Sequence, residues 1–228
     1  MKKLRTPIKN DLSFYTWAFA IITALISVSA LSASGQTTII DTSINHGEAT
    51  VIAGKQYKRS GLHDIFWGKH YRKEWATPVK VKSIMLDTAF GGLKPIEMGG
   101  GRQTKTLRLE DKNGKQYVLR SIDKTYTKAL PEIFQGTFVE SIANDEVSVA
   151  HPYSTVTVPT LATAAKVYHT NPQIVFLPNQ ETLGKYSSQF ANQLYLIEER
   201  PSGFEGNAEN FGNSENSESK ISQKIFPF

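Results

Sequence analysis

The dipeptide Asn113-Gly114 constrains this chain more than any other pair of residues. It lies between two strand-like runs, TKTLRLE (104–110) and KQYVLRSI (115–122). Asn-Gly flanked by alternating apolar residues is a strong hairpin signal, because both residues accept the positive φ that a tight reversal demands. Loop length then decides which residues share a face. A two-residue turn sets Leu107 and Leu109 beside Val118 and Arg120. A three-residue loop with Gly114 left-handed sets them beside Tyr117 and Leu119. The second is expected, since it makes one face wholly apolar and leaves Arg108, Val118 and Arg120 on the other.

Further strands are expected over 79–86, 173–178 (QIVFLP) and 193–199 (QLYLIEE), with short β-type runs TTIID and ATVIAG in the polar segment 36–56. Residues 131–143 read as a helix, with Pro131 at the start and Ile133, Phe134, Phe138, Val139 and Ile142 at helical spacing. A second short helix is expected over 160–167. The fold class is therefore α+β: a small antiparallel sheet with a central β-hairpin and one or two packed helices, spanning 57–201. Beyond Arg200-Pro201 the chain turns to Asn, Ser, Glu and Gly, which reads as a flexible tail or linker over 202–228. The final IFPF is no barrel signature by itself, because a barrel needs many strands of ~10 alternating residues. It reads as a chain cut short.

The first 35 residues have the three parts of an export signal: basic Lys2, Lys3, Arg5 and Lys9, an apolar run over 14–31, and small Ala33, Ser34 and Gly35 ahead of Gln36. Cleavage before Gln36 is expected. The alternative is an uncleaved anchor, since the run approaches the ~20 residues that span a bilayer. Both place the remaining chain in the periplasm or at the outer membrane. The whole chain carries +5; residues 1–35 hold four basic residues and Asp11, so 36–228 carry only +2. That balance gives no reason to expect nucleic acid as a partner. No cysteine is present, so disulfides, thiolate metal sites and cysteine nucleophiles are excluded.

Chemistry concentrates around Gly99, Gly100 and Gly101. Three glycines before a strand leave backbone N–H groups free to converge on an anion. Arg102, Lys105 and Arg108 follow, with Arg120 and Lys124 across the hairpin. From the residues alone this reads more simply as a glycine-rich turn beside ordinary surface charges than as a phosphate cradle. The histidines (46, 63, 70, 151 and 169) show no ligand spacing, so no metal site is expected. Asp64, Asp87 and Asp145 are scattered and suggest no carboxylate pair. The stretch WGKHYRKEW offers Trp67, Tyr71 and Trp75 either to a glycan or lipid headgroup or to the core.

The order glycine loop, hairpin, helix, strand, strand resembles the small lobe of a protein-kinase-like fold. Arg120 would stand where a lysine usually contacts phosphates, and Glu140 would be its helix partner. GGGRQT departs from G-x-G-x-x-G, and no H-R-D or D-F-G follows, so catalysis by this chain alone is not expected. Taken together, WGKHYRKEW, TPV, LDT-x-x-GGL, GGGRQT-x-x-LRL, YVLRS-x-x-K, HPY and EERP resemble a region of large Gram-negative envelope proteins. In that family the region often follows a metallophosphoesterase and precedes a BamA/TamA-type surface-antigen barrel. The resemblance covers about residues 55–205. It implies a periplasmic module with outer-membrane or periplasmic proteins as partners. As ligand it implies a nucleotide, ATP with magnesium, at Gly99, Gly100, Gly101, Arg120 and Glu140. The phosphoesterase motifs D-x-H and G-N-H-[DE] do not occur, so that activity is not carried over. The alternative is a non-enzymatic envelope module acting through protein contacts.

Overall fold

A computed structural model of the chain describes residues 38–41, 47–101 and 103–200. Arg102, the segment 1–35 expected to be an export signal and the segment 202–228 expected to be a tail lie outside these residues.

Among the described residues eight strands join in one sheet: β1 (Thr38–Asp41), β2 (Glu48–Ile52), β3 (Pro78–Ser83), β4 (Lys94–Gly100), β5 (Lys105–Glu110), β6 (Gln116–Ser121), β7 (Gln173–Leu177) and β8 (Gln193–Arg200). Their spatial order is β1-β2-β3-β7-β8-β6-β5-β4. The fold class is α+β, as expected, but the sheet is neither small nor wholly antiparallel. Segment 36–56 adds two strands to it, and β3 runs parallel to β7 through Lys82↔Val175 and Ser83↔Phe176. The reason is apolar alternation: Ala49 and Val51 on β2 stand opposite Val81 and Val79 on β3, and that stripe must be buried somewhere.

The β5–β6 hairpin has the expected register, with Leu107 opposite Leu119 and Leu109 opposite Tyr117. Its loop closes through Asp111 N–H to Lys115 O (3.0 Å), leaving Lys112, Asn113 and Gly114 as the three loop residues. Gly114 takes φ +81, a left-handed value in which a side chain is strained.

Two cores form on opposite faces of the sheet. One gathers Leu86, Leu93, Leu107, Leu109, Tyr117, Leu119, Val175, Leu177, Tyr195 and Ile197. The other gathers Ala49, Val51, Tyr57, Trp75, Ile122, Val147, Phe176, Leu194 and Leu196. Strands β7 and β8 serve both, which is why QIVFL and QLYLI read as unbroken apolar runs rather than alternating ones. The cores are offset. The first underlies the β6–β5 end; the second underlies the β2–β3 end and stops at Leu196. Past Leu196, the face of β8, β6 and β5 that carries Glu198, Arg120 and Arg108 is partly accessible: Arg120 is exposed, Arg108 and Glu198 are half-buried, and Val118 between them is buried.

Among the described residues five short α-helices lie between the strands: α1 (Gly61–Trp67), α2 (Arg72–Ala76), α3 (Phe138–Asp145), α4 (Val158–Ala164) and α5 (Ser187–Phe190). The single helix expected over 131–143 is broken. A 3₁₀ turn, Glu132–Phe134, is followed by Gly136 at φ +72, and α3 starts afresh with the Thr137 hydroxyl accepting from Val139 N–H (3.3 Å). Glycine in the left-handed conformation ends a helix, and threonine caps the next. The second helix begins two residues earlier than expected and ends before Lys166, which takes φ +57. The strand expected over 79–86 stops at Ser83; Leu86 N–H instead donates to the Gln180 side chain (2.6 Å).

Candidate functional site

Gly99 and Gly100 are strand residues, opposite Thr106 and Lys105 in the β4–β5 ladder. Gly100 has φ +76, and a Cβ built there would sit 2.3 Å from the Thr104 carbonyl oxygen. The hairpin cannot close around a side chain at this position. Gly100→Ala is expected to cost about 1–2 kcal/mol for the left-handed backbone alone, with the carbonyl clash adding to it, read as a lower urea midpoint at unchanged slope. Gly101 (φ +156) borders open space.

Gly99 has a different consequence. Thr106 pairs with Gly99 on one side and with Arg120 on the other, so the three form a row across β4, β5 and β6. A Cβ at Gly99 would lie 3.0 Å from Thr106 Oγ1. The missing side chain therefore clears the open face beside Thr106 and Arg120. Arg108 sits diagonally across on the same face, as expected from the register.

Both arginines have acidic neighbours, Glu97 exposed and Glu198 half-buried. Arg120 Nη2 is 3.3 Å from Glu198 Oε1, and Glu198 Oε2 accepts from Thr170 Oγ1 (2.7 Å). Arg108 Nη1 is 2.7 Å from Glu97 Oε2. The arginine side chains are 48% and 40% exposed, so each pair is worth only about 0.2–1 kcal/mol and is exchangeable. Of the other expected cations, Lys105 donates to the Gln189 carbonyl (3.4 Å) and Lys124 is exposed just past β6.

Glu140 does not partner Arg120. It accepts from the Thr127 hydroxyl, from Gly136 N–H (2.6 Å) and from Asn144 Nδ2 (3.5 Å). The Thr127 and Gly136 bonds hold its carboxyl below the usual carboxylate range. Its role is to fasten the start of α3, and Glu198 on the adjacent strand takes the place beside Arg120.

A second constellation had no local signal in the sequence. Arg72 and Asp145, 4% and 6% exposed, form a two-pronged pair at 2.7 and 2.6 Å. Arg59 (3.5 Å) and His63 (3.9 Å) approach the same carboxylate, and Asp64 lies 3.5 Å from Arg72 Nε. Burial by itself raises the Asp145 carboxyl, but hydrogen bonds and charge from Arg72, with His63 and Arg59, outweigh it and hold the group below its usual value. Burial lowers His63. With both its oxygens held by Arg72, Asp145 is no free base. The cluster is a clasp joining α1 and α2 to α3. Its partners are 73 residues apart, so only the folded chain brings them together.

WGKHYRKEW divides between the two readings given above. Trp75 is buried in the second core, while Trp67 and Tyr71 are 42% and 43% exposed. A shallow pocket of 310 Å³ lies between Asn179, Gln180, Glu181, Gly184 and Ser187. Its polar groups are engaged internally, with Ser187 donating to Asn179 (2.6 Å) and Gln180 held by Leu86 and Ile84. Among the described residues no three His, Asp or Glu side chains converge as a metal site, and no helix is long and apolar enough to cross a membrane. No family model, curated protein or solved structure matches the chain.

Proposed function

We propose that the chain is an exported cell-envelope module that binds a phosphate-bearing ligand, a nucleotide foremost, and does not transfer phosphoryl groups by itself. The row Gly99–Thr106–Arg120 carries this reading. It joins a cleared backbone surface, a hydroxyl and a guanidinium on one open face, with Arg108 in reach. Guanidinium and hydroxyl groups are the donors a phosphate needs, and an arginine fork can bind two phosphate oxygens at once. The half-buried Glu198, itself held by Thr170, keeps Arg120 in place until the anion displaces it.

ATP with magnesium fits this face in part. Arg120 and Arg108 suit the phosphates, while among the described residues no three His, Asp or Glu side chains converge as a cage for the metal. Magnesium would arrive on the nucleotide, which suits its habit of binding through phosphates and waters. The nucleotide would bring the reactive phosphoanhydride; the residues here bind and orient it.

Titration calorimetry with ADP and ATP plus magnesium tests the reading. Binding heat is expected for the native chain, and Arg120→Ala is expected to weaken affinity about tenfold or more, the worth of a charge-assisted hydrogen bond. Absence of heat in the native chain would leave the second reading, an envelope module acting through protein contacts. That reading draws on exposed apolar side chains before and within α3: Ile133 (78%), Phe134 (41%) and Phe138 (58%).

A further inference from the structure

Helix α1 is inside out. None of its residues is buried. Leu62, Ile65 and Phe66 are 72%, 75% and 74% exposed, and Trp67 is 42% exposed. Its polar residues point the other way: His63 and Asp64 are half-buried against Arg72 and Asp145. A surface helix normally turns its apolar stripe inward. Here the buried clasp anchors the polar side, so the apolar side is held facing solvent.

The segment that carries this patch is basic. Residues 55–75 contain six Lys or Arg against Asp64 and Glu74, a net +4, while all of 36–228 carries +2 and the remainder therefore −2. Lys55, Lys58, Arg59, Lys69 and Lys73 are all exposed.

We infer that α1 docks the protein on an anionic lipid surface, with Ile65, Phe66 and Trp67 entering the headgroup–acyl boundary and Lys58, Lys69 and Lys73 meeting lipid phosphates. The two halves of the patch select this occupant together. Aliphatic and aromatic side chains gain by leaving water, and tryptophan favours the interfacial zone. A basic rim gains only if the apolar medium has an anionic border, as a bilayer of acidic lipids does. A second copy of the chain would bring the same basic rim against itself in a two-fold contact. Nucleic acid would satisfy the lysines and leave Leu62, Ile65 and Phe66 without a partner. The inference is independent of phosphate binding at Arg120, which lies on a different element.

The test uses the full chain carrying Trp17→Phe, so that Trp67 is the responsive tryptophan and Trp75, 1% exposed, is a shielded background. It also carries Ile22→Asp and Leu25→Asp, so that the apolar run over 14–31 does not itself partition into the vesicles. Vesicles with brominated acyl chains are made of phosphatidylcholine alone or mixed with phosphatidylglycerol. Trp67 emission is expected to be quenched on the mixed vesicles, weakly on the neutral ones, and less as salt is raised. Phe66→Asp, and separately Lys58→Glu/Lys69→Glu/Lys73→Glu, should each weaken the quenching-derived partition constant at least about tenfold. The charge-reversed residues are all exposed, so that variant keeps the test valid even if Phe66→Asp perturbs folding. Equal quenching on both vesicles, no quenching, or indifference to charge reversal would overturn the inference. So would a concentration-dependent dimer that Phe66→Asp abolishes while vesicle quenching is absent.

Discussion

Asp145→Ala is expected to destabilise the fold by about 3–5 kcal/mol, because it strands the Arg72 guanidinium in a buried site without its counter-charge. Arg72 is 4% exposed, and its other contacts, the Gly68 carbonyl at 3.2 Å, His70 Nδ1 at 3.4 Å and Asp64 at 3.5 Å, do not replace a two-pronged carboxylate. Urea unfolding at neutral pH measures the loss. Replacing both partners, as Arg72→Met with Asp145→Leu, should recover most of it, since apolar isosteres remove the desolvation cost along with the attraction.

The same pair sets an acid dependence whose sign can be stated. The folded Asp145 carboxyl lies below its ordinary value, so its contribution is fully present above the unfolded value of about 3.9 and is lost as pH falls through the folded one. The gap between the native chain and Asp145→Ala should therefore be wide at pH 7 and close below about pH 4. His63, lowered by burial, adds a loss in the same direction from about pH 6.5 downward. A gap that stays constant down to strongly acid pH would mean that Asp145 is not ionised in the fold.

Trp75→Ala should cost a similar amount, about 3–5 kcal/mol for a large aromatic in a packed core. Trp75 is 1% exposed, and its ring lies 4.8 Å from that of Tyr57. A Cβ at Gly54 would stand 2.8 Å from the indole and 2.5 Å from the Tyr57 ring, so the chain passes close against both. The indole N–H donates to the Ala150 carbonyl at 2.8 Å and ties α2 to the segment after α3. Truncation leaves a cavity and an unpaired carbonyl together. Trp67→Ala, in the same nine-residue stretch, should change stability by no more than about 0.5 kcal/mol, as exposed substitutions do. Similar losses at both positions would contradict the division of this segment between core and surface.

What the sequence disclosed was local. Asn113-Gly114, with the apolar face it had to complete, was enough for the hairpin register and hence for Arg108 and Arg120 sharing a face. The buried strands β7 and β8 were legible as unbroken apolar runs. Features set by distant partners were not legible. Val51 and Ala49 look like part of a polar segment until β3 is beside them. Residues 131–143 carry a helical pattern, but Gly136 and Thr137 restart the helix, and turn chemistry overrode periodicity. Glu140 matched a family expectation by order along the chain, yet Thr127 and Gly136, both close by, claim its carboxylate. Asp145 read as one of several scattered aspartates, because nothing within a few residues of it or of Arg72 marks a buried pair. Even the apolar face of α1 was hidden in a segment where aromatics and charges alternate, because the direction of its polar side depends on that pair.

The central claim is that the open face around Arg120 receives a phosphate-bearing ligand. It is tested most directly by two-dimensional amide NMR of the isotopically labelled chain titrated with ADP and magnesium. The account predicts saturable shifts clustered at Gly99, Thr106, Arg120 and Glu198, with α1 and the Asn179–Ser187 pocket unmoved. Saturable shifts centred elsewhere, or none at all while the spectrum shows a folded chain, would contradict it.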